Sequence, residues 1–200
     1  MGQSPPKRVR DTTAALVCAE AFQRVAEPFL PTIAHDVEEG TQSTPRDIGD
    51  LVVAAANLAF ALELYIKTLL AELQINVPRG HDLGKLYAEI PQSVRDEIEK
   101  SYATWRKDWY GRRASVTIAK GPAKQPKWDG YRSKSNDLGA VLDRSGDVFS
   151  SWRYICEFTG PDQGNYQFHH FEYGLLVCAC RAIRAAINDR LQNSPPEPEL

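Results

Sequence analysis

Apolar residues recur at helical spacing almost from one end of this chain to the other, and prolines and glycines cut the pattern into segments. From Asp11, suited to cap a helix, Ala14, Leu16, Val17, Ala21, Phe22, Val25 and Ala26 fall three and four apart. They predict an amphipathic helix that Pro28 and Pro31 end or kink. Gly40 to Ser43 reads as a loop, and Thr44-Pro45-Arg46-Asp47 as a strong helix start, with Thr44 as cap and Pro45 at the first helical position. The helix it opens should reach Gln74. Its main stripe is Leu51, Ala55, Leu58, Leu62, Tyr65, Ile66, Leu69 and Leu73, and Asp50, Asn57, Thr68 and Glu72 form a narrow polar edge.

Glu63 and Lys67 interrupt the apolar flank shared by Val52, Ala56, Phe60 and Leu70. Glutamate one turn ahead of lysine is the favoured order for an ion pair on a helix. The pair is either an exposed one at the edge of a bundle or a desolvated polar spot facing a cleft or dimer seam. Past Pro78-Arg79-Gly80, His81 or Asp82 can cap a short helix through Leu83, Leu86, Tyr87 and Ile90. Pro91 then opens another, with Val94 and Ile98 inward and Arg95, Asp96, Glu97, Glu99 and Lys100 outward.

From Trp105 to Ser135 the pattern changes. Nine basic residues stand against two acidic ones, Trp105, Trp109, Tyr110, Trp128 and Tyr131 are interleaved with them, and Gly111, Gly121, Pro122, Pro126 and Gly130 forbid a long helix. A basic, aromatic loop follows from this. Asn136 or Asp137 can cap the next helix, whose buried face would be Leu138, Val141, Leu142, Val148, Phe149, Trp152, Ile155 and Cys156, ending near Phe158. Gly139 and Gly146 weaken that helix and suggest close packing or a bend. After a turn over 159–165, a last helix is predicted from Gln167 to Leu191. With no strand and no internal repeat in evidence, the fold class is all-α: an up-and-down bundle of five to six helices. One domain spans 11–192, between a flexible tail at 1–10 and a disordered one at 193–200.

Two hundred residues, 42% of them hydrophobic and 25% charged, suit one domain with a real core. The net charge of -2 argues against a protein dominated by nucleic-acid binding, while leaving room for a local basic surface. No secretion signal is visible, and Leu51 to Ile66 is shorter than the ~20 residues a bilayer requires, so a cytoplasmic location is expected. Cys18, Cys156, Cys178 and Cys180 then read as small core residues in a reducing compartment.

Phosphate-loop, dinucleotide-binding, His-Glu-x-x-His and Gly-x-Ser-x-Gly motifs are all missing, and no cofactor or metal is expected. Adjacent His169 and His170, placed on a helix, would point about 100° apart and make poor joint ligands. Of the two, His170 is the better general acid or base, because it shares its side with Arg181 and Arg184. Arg153 and Glu157, one turn apart beside Tyr154, form either a braced anion or base-stacking site or a guanidinium buried between helices. The basic loop combines cations for phosphates with rings for bases, as single-stranded nucleic-acid sites do; the alternative is a solvated loop whose tryptophans pack back on the bundle.

Three stretches together carry a family likeness: Leu62-Glu63-Leu64-Tyr65-Ile66-Lys67-Thr68-Leu69-Leu70, Gly80-His81-Asp82-Leu83-Gly84-Lys85-Leu86-Tyr87, and Trp152-Arg153-Tyr154-Ile155-Cys156-Glu157. Over residues 45–190 the chain resembles bacterial members of the HEPN superfamily, the higher eukaryotes and prokaryotes nucleotide-binding domains. The resemblance implies a helical bundle, a homodimer, and a setting in toxin-antitoxin or defence systems with a nucleotidyltransferase-type antitoxin partner. Many members are metal-independent RNases that share an arginine followed by histidine after four to six residues. Here Arg79 is too close to His81, and fifteen residues separate Arg153 from His169. The expected function is therefore nucleotide or RNA binding without cleavage. Arg153, Lys67, Arg112 and Arg113 would receive phosphates, Trp105, Trp109 or Tyr154 would stack a base, and Glu63, His81, Asp82 and Glu157 would line a polar cleft. A diverged ribonuclease using Arg153 and His170, and a protein-interaction module without a ligand, remain the alternatives.

Overall fold

Helix α1, Thr12–Ala26, opens on Asp11, whose carboxylate accepts a hydrogen bond from the Ala14 amide at 2.8 Å. In this computed structural model the described residues are 11–29, 45–108, 115–120, 136–146 and 167–193. The expected break arrives on time, since α1 passes into a short 3-10 turn, Glu27–Phe29, that contains Pro28. The buried stripe is rotated from the predicted one: Leu16, Ala19, Gln23 and Ala26 face inward, whereas Ala14, Val17 and Val25 are exposed. Two contacts with the next helix fix that rotation. Tyr65 donates its hydroxyl hydrogen to Gln23 Oε1 at 2.7 Å, and Phe22 meets Phe60 edge to face at 4.6 Å. Cys18 falls on the exposed side, which corrects its reading as a core residue; Cys178 and Cys180 are buried, and Cys156 lies outside the described residues.

The central helix α2, Pro45–Glu72, begins at the predicted proline, while Thr44 lies outside the described residues. Ala55, Leu58, Leu62, Tyr65, Ile66 and Leu69 are fully buried and Leu73 partly so; the Leu51 side chain lies outside the description. Thr68 does not belong to a polar edge, being 2% exposed with no hydrogen-bond partner for its hydroxyl. Within α2, Val52–Glu72 is apolar and long enough to cross a bilayer, longer than the run the sequence suggested, and most of it is buried against α1 and the last helix. It is the core helix of a bundle.

Gln74 ends α2. It takes a left-handed backbone with φ 58°, and the Ile75 amide then reaches back to the Leu70 carbonyl at 2.9 Å, the closure by which glycine more often terminates a helix. The chain reverses into α3, Leu83–Ala88, and α4, Gln92–Asp108. Helix α4 buries Val94 and Ile98 as predicted and adds Tyr102 one turn on. It continues through Trp105, Arg106 and Lys107, which the sequence reading assigned to the basic loop.

Beyond α4 the chain departs from all-helical expectation in one place. Strand β1, Ser115–Lys120, pairs antiparallel with β2, Gln167–Glu172, setting Thr117 opposite His170 and Ile118 opposite His169. The β-branched run Val116-Thr117-Ile118 and the aromatic-rich Phe168-His169-His170-Phe171 suit a strand better than a helix. Between the strands in sequence, α5, Leu138–Arg144, is capped at Ser145 and stops there; the rest of its predicted buried face lies outside the described residues. The final helix, α6, Tyr173–Asn193, therefore starts six residues after Gln167. It runs antiparallel to α4, with Glu97 beside Arg190 and Trp105 beside Arg181, and antiparallel to α1, with Glu20 beside Arg184 and the Tyr173 hydroxyl on the Ala26 carbonyl. The fold is all-α, an up-and-down bundle carrying one two-stranded ribbon.

Candidate functional site

Glu63 sits on α2 with its side chain only 3% exposed, and two cationic partners come to it. Lys67, one turn on, places Nζ 2.7 Å from Glu63 Oε1. The same ammonium donates to the Gly80 carbonyl at 2.8 Å, a contact made possible by the positive φ of Gly80, 138°. His81 follows directly and sets Nδ1 at 2.9 and 3.0 Å from the two carboxylate oxygens. An ionised carboxylate only accepts, so Nδ1 carries the hydrogen and Nε2, across the ring, faces outward. The His81 side chain is 56% exposed. Thus the Glu63–Lys67 pair is desolvated, and the exposed-pair alternative does not hold. A nearly buried carboxylate orients an imidazole at the surface while an ammonium offsets its charge.

Asp82, next in the chain, does a different task. Its carboxylate caps α3, accepting from the Lys85 amide at 3.0 Å, and pairs with the Lys85 ammonium at 2.9 Å. These hydrogen bonds from Lys85 hold the Asp82 carboxyl below its usual range. Helix α3 is pressed against the end of α5, where the Leu83 amide donates to the Gly146 carbonyl at 3.3 Å. A Cβ on Gly84 would stand 2.3 Å from Asp143 Oδ1, and one on Gly146 2.9 Å from Asp82 Oδ1. Close packing is thus the reason for Gly146; Gly139, by contrast, has ordinary room against the Tyr87 ring. The His-Asp-Leu turn divides its labour: His81 faces the polar cluster, Asp82 starts a helix, and Leu83 is buried in the core.

A second set of polar groups gathers where α4 ends. The Arg181 guanidinium lies over the Trp105 ring, 5.2 Å from its centroid, and Arg106 lies 5.7 Å over Tyr102. Arg106 donates to the Asn136 carbonyl at 2.6 Å, Arg144 donates to Asn136 Oδ1 at 3.4 Å, and Arg144 Nε pairs with Glu172 at 2.6 Å. The Arg144 and Glu172 side chains are 12% and 13% exposed, so this pair ties α5 to the root of the ribbon away from bulk water.

The comparisons with known proteins meet this geometry in its first half. The family model of the HEPN domain matches residues 19–114, the stretch that runs from α1 through α4 and contains Glu63, Lys67, His81, Asp82 and Trp105. This chain is a HEPN-domain protein. The comparison with curated proteins gives no match, and neither does that with solved structures. A HEPN domain points in general to a nucleotide- or RNA-related function.

Within the HEPN domain the predicted polar-cleft residues Glu63 and His81 are brought together, with Lys67 completing the cluster and Asp82 turned to capping. Trp105 is at the surface as a stacking residue must be, 36% exposed. Trp109, Arg112, Arg113, Arg153, Tyr154 and Glu157 lie outside the described residues. His170 is on β2 rather than on the last helix. Among the described residues, no group of three or more His, Cys, Asp or Glu side chains is placed to hold a metal ion. Sequence reasoning missed Arg106, Asn136, Arg144 and Glu172, whose association links positions 28 to 30 apart in sequence and leaves no periodic trace. Arg181 carried a signal, a cation on the otherwise apolar α6, but its partner Trp105 was assigned to a loop.

Proposed function

We propose that this HEPN-domain protein binds RNA or nucleotides through the arginine- and aromatic-rich end of α4 and the basic segment that follows it. The observation that supports this best is the Arg181 guanidinium stacked on the partly exposed Trp105 indole at 5.2 Å. Such a pair offers an aromatic face to a base and a cation to the adjoining phosphate, and base stacking on a ring of this kind is worth ~1–3 kcal/mol. The nine basic residues between Trp105 and Ser135 supply the long-range attraction that an overall charge of -2 would otherwise oppose. Fluorescence anisotropy with a labelled single-stranded RNA tests the reading. Trp105→Ala should weaken binding about tenfold, on the lower part of that stacking range; a variant that binds as tightly as the wild type removes this surface from the site.

His81 favours a second reading, a diverged metal-independent ribonuclease. Its Nδ1 is fixed on a nearly buried carboxylate and its outer nitrogen faces outward, the arrangement a general base requires. Incubated RNA that stays intact, or that is cut equally by His81→Ala, removes this reading. Homodimerisation, with a nucleotidyltransferase-type antitoxin partner in a toxin-antitoxin or defence system, belongs to the same proposal. Val17, Val25 and Val53, 58%, 50% and 45% exposed, are the apolar side chains that a second subunit would cover. Light scattering on the purified protein distinguishes a dimer from a monomer.

A further inference from the structure

Two arginines from different helices converge on Asn136: Arg106 from α4 on its backbone carbonyl at 2.6 Å, Arg144 from α5 on its side-chain oxygen at 3.4 Å. Like charges drawn to one residue repel unless something answers them, and Glu172 answers one, at 2.6 Å from Arg144. Beneath them, Tyr102 packs its ring under Arg106 and is 1% exposed, yet its hydroxyl has no hydrogen-bond partner. An unsatisfied buried hydroxyl is costly, and one lying close to surplus positive charge is explained by an anion that takes its hydrogen. Burial, first, and the neighbouring Cys178 thiol push this phenol further up, so it remains a donor at any physiological pH.

We propose that Arg106, Arg144 and the Tyr102 hydroxyl form a seat for one phosphate group at the junction of α4, α5 and the start of α6. Guanidinium groups match phosphate oxygens in charge and in paired donor geometry, which a lysine cluster would not. Arg106 is only half-buried and gives the opening; Arg144 and Tyr102 form the wall and the floor. Arg144 and Asn136 lie beyond residue 114, where the family match ends, so the seat joins the HEPN domain to this chain's own C-terminal part. For its occupant the inference rests on the nucleic-acid reading above, the phosphate being that of a nucleotide or an RNA strand.

The test uses the full-length protein in two arms. In the first, thermal unfolding is followed at constant ionic strength as chloride is exchanged for inorganic phosphate. The wild type should gain stability with phosphate, and Tyr102→Phe should unfold no earlier than the wild type in chloride while losing the phosphate-dependent gain. That combination separates a ligand role from a structural one, since removing an orphan hydroxyl alone does not destabilise. In the second arm, anisotropy of a 5′-phosphorylated RNA should show about tenfold weaker binding for Arg106→Gln, which leaves the Arg144–Glu172 pair intact, as loss of a charge-assisted hydrogen bond implies. If both variants respond to phosphate and bind RNA as the wild type does, the seat is overturned while the RNA reading stands. If the phosphate response depends on Tyr102 and Arg106 but RNA does not bind the wild type, the seat stands for a free phosphate or nucleotide and the RNA reading falls.

Discussion

Asp82 shows how one carboxylate in a family signature can be structural. Its hydrogen bonds from the Lys85 amide and ammonium stabilise the ionised form, so its folded-state ionisation lies below that of the unfolded chain. The resulting stability is fully present above pH about 4, where an unfolded aspartate is ionised, and is lost as pH falls through the lower folded value. The pair is exposed, at 84% and 40%, and contributes less than about 1 kcal/mol; the cap itself contributes about 1 kcal/mol. Asp82→Ala should therefore lower stability in denaturant titrations by about 1 kcal/mol, and Asp82→Asn by less, because asparagine still caps. The asparagine variant should also show a shallower loss of stability below pH about 4. An unchanged acid limb would show that Asp82 is not linked to folding in this way. The neighbouring His81 was legible as part of the same signature, but its partner was not. Glu63 and Lys67 announced themselves as a pair, whereas the approach of His81 depends on how Gln74 and Gly80 turn the chain.

At the scale of elements, that turn is where sequence signals were weakest. Proline at the start of α2 is an explicit mark, but its end is a left-handed glutamine, where a glycine would have been readable. The conformation costs an L-residue about 1 kcal/mol, so Gln74→Gly should raise the stability by up to about that amount, measured as a higher denaturant midpoint at unchanged slope. A fall in the midpoint would mean that the Gln74 side chain contributes something the helix end needs. Gly84 is the reverse case, a glycine demanded by packing and not by backbone angle. A methyl group there would stand 2.8 Å from the Asp143 Cα as well as against its carboxylate, so α3 and α5 would have to part. Gly84→Ala should destabilise by about 1–3 kcal/mol, the range for overpacking a tight contact; a neutral effect would show that the contact yields. The ribbon was missed because each strand was read within its own segment. The β-branched residues of β1 sat in a stretch defined by charge, and β2 ran without a break into the helical period of α6.

For the whole molecule, the bundle could be read from periodicity because α2 carries its stripe over seven turns and the other helices follow proline or capping residues. What periodicity cannot encode is which helix ends meet. The stack of Arg181 on Trp105 and the gathering of Arg106, Arg144 and Glu172 around Asn136 join α4, α5, α6 and β2, so only the folded chain shows that the basic segment leaves the bundle beside further arginines. In this account α2 is the wall that identifies the domain and fixes the Glu63–His81 cluster, and the end of α4 is where a polyanion is met. The most direct test is the salt dependence of single-stranded RNA binding by the full-length protein. If cations at the end of α4 and in the segment after it neutralise three or four phosphates, the logarithm of affinity should fall linearly with the logarithm of salt concentration, with a slope of about -2 to -3. An affinity unchanged by ionic strength, or no RNA binding at low salt, would contradict the account.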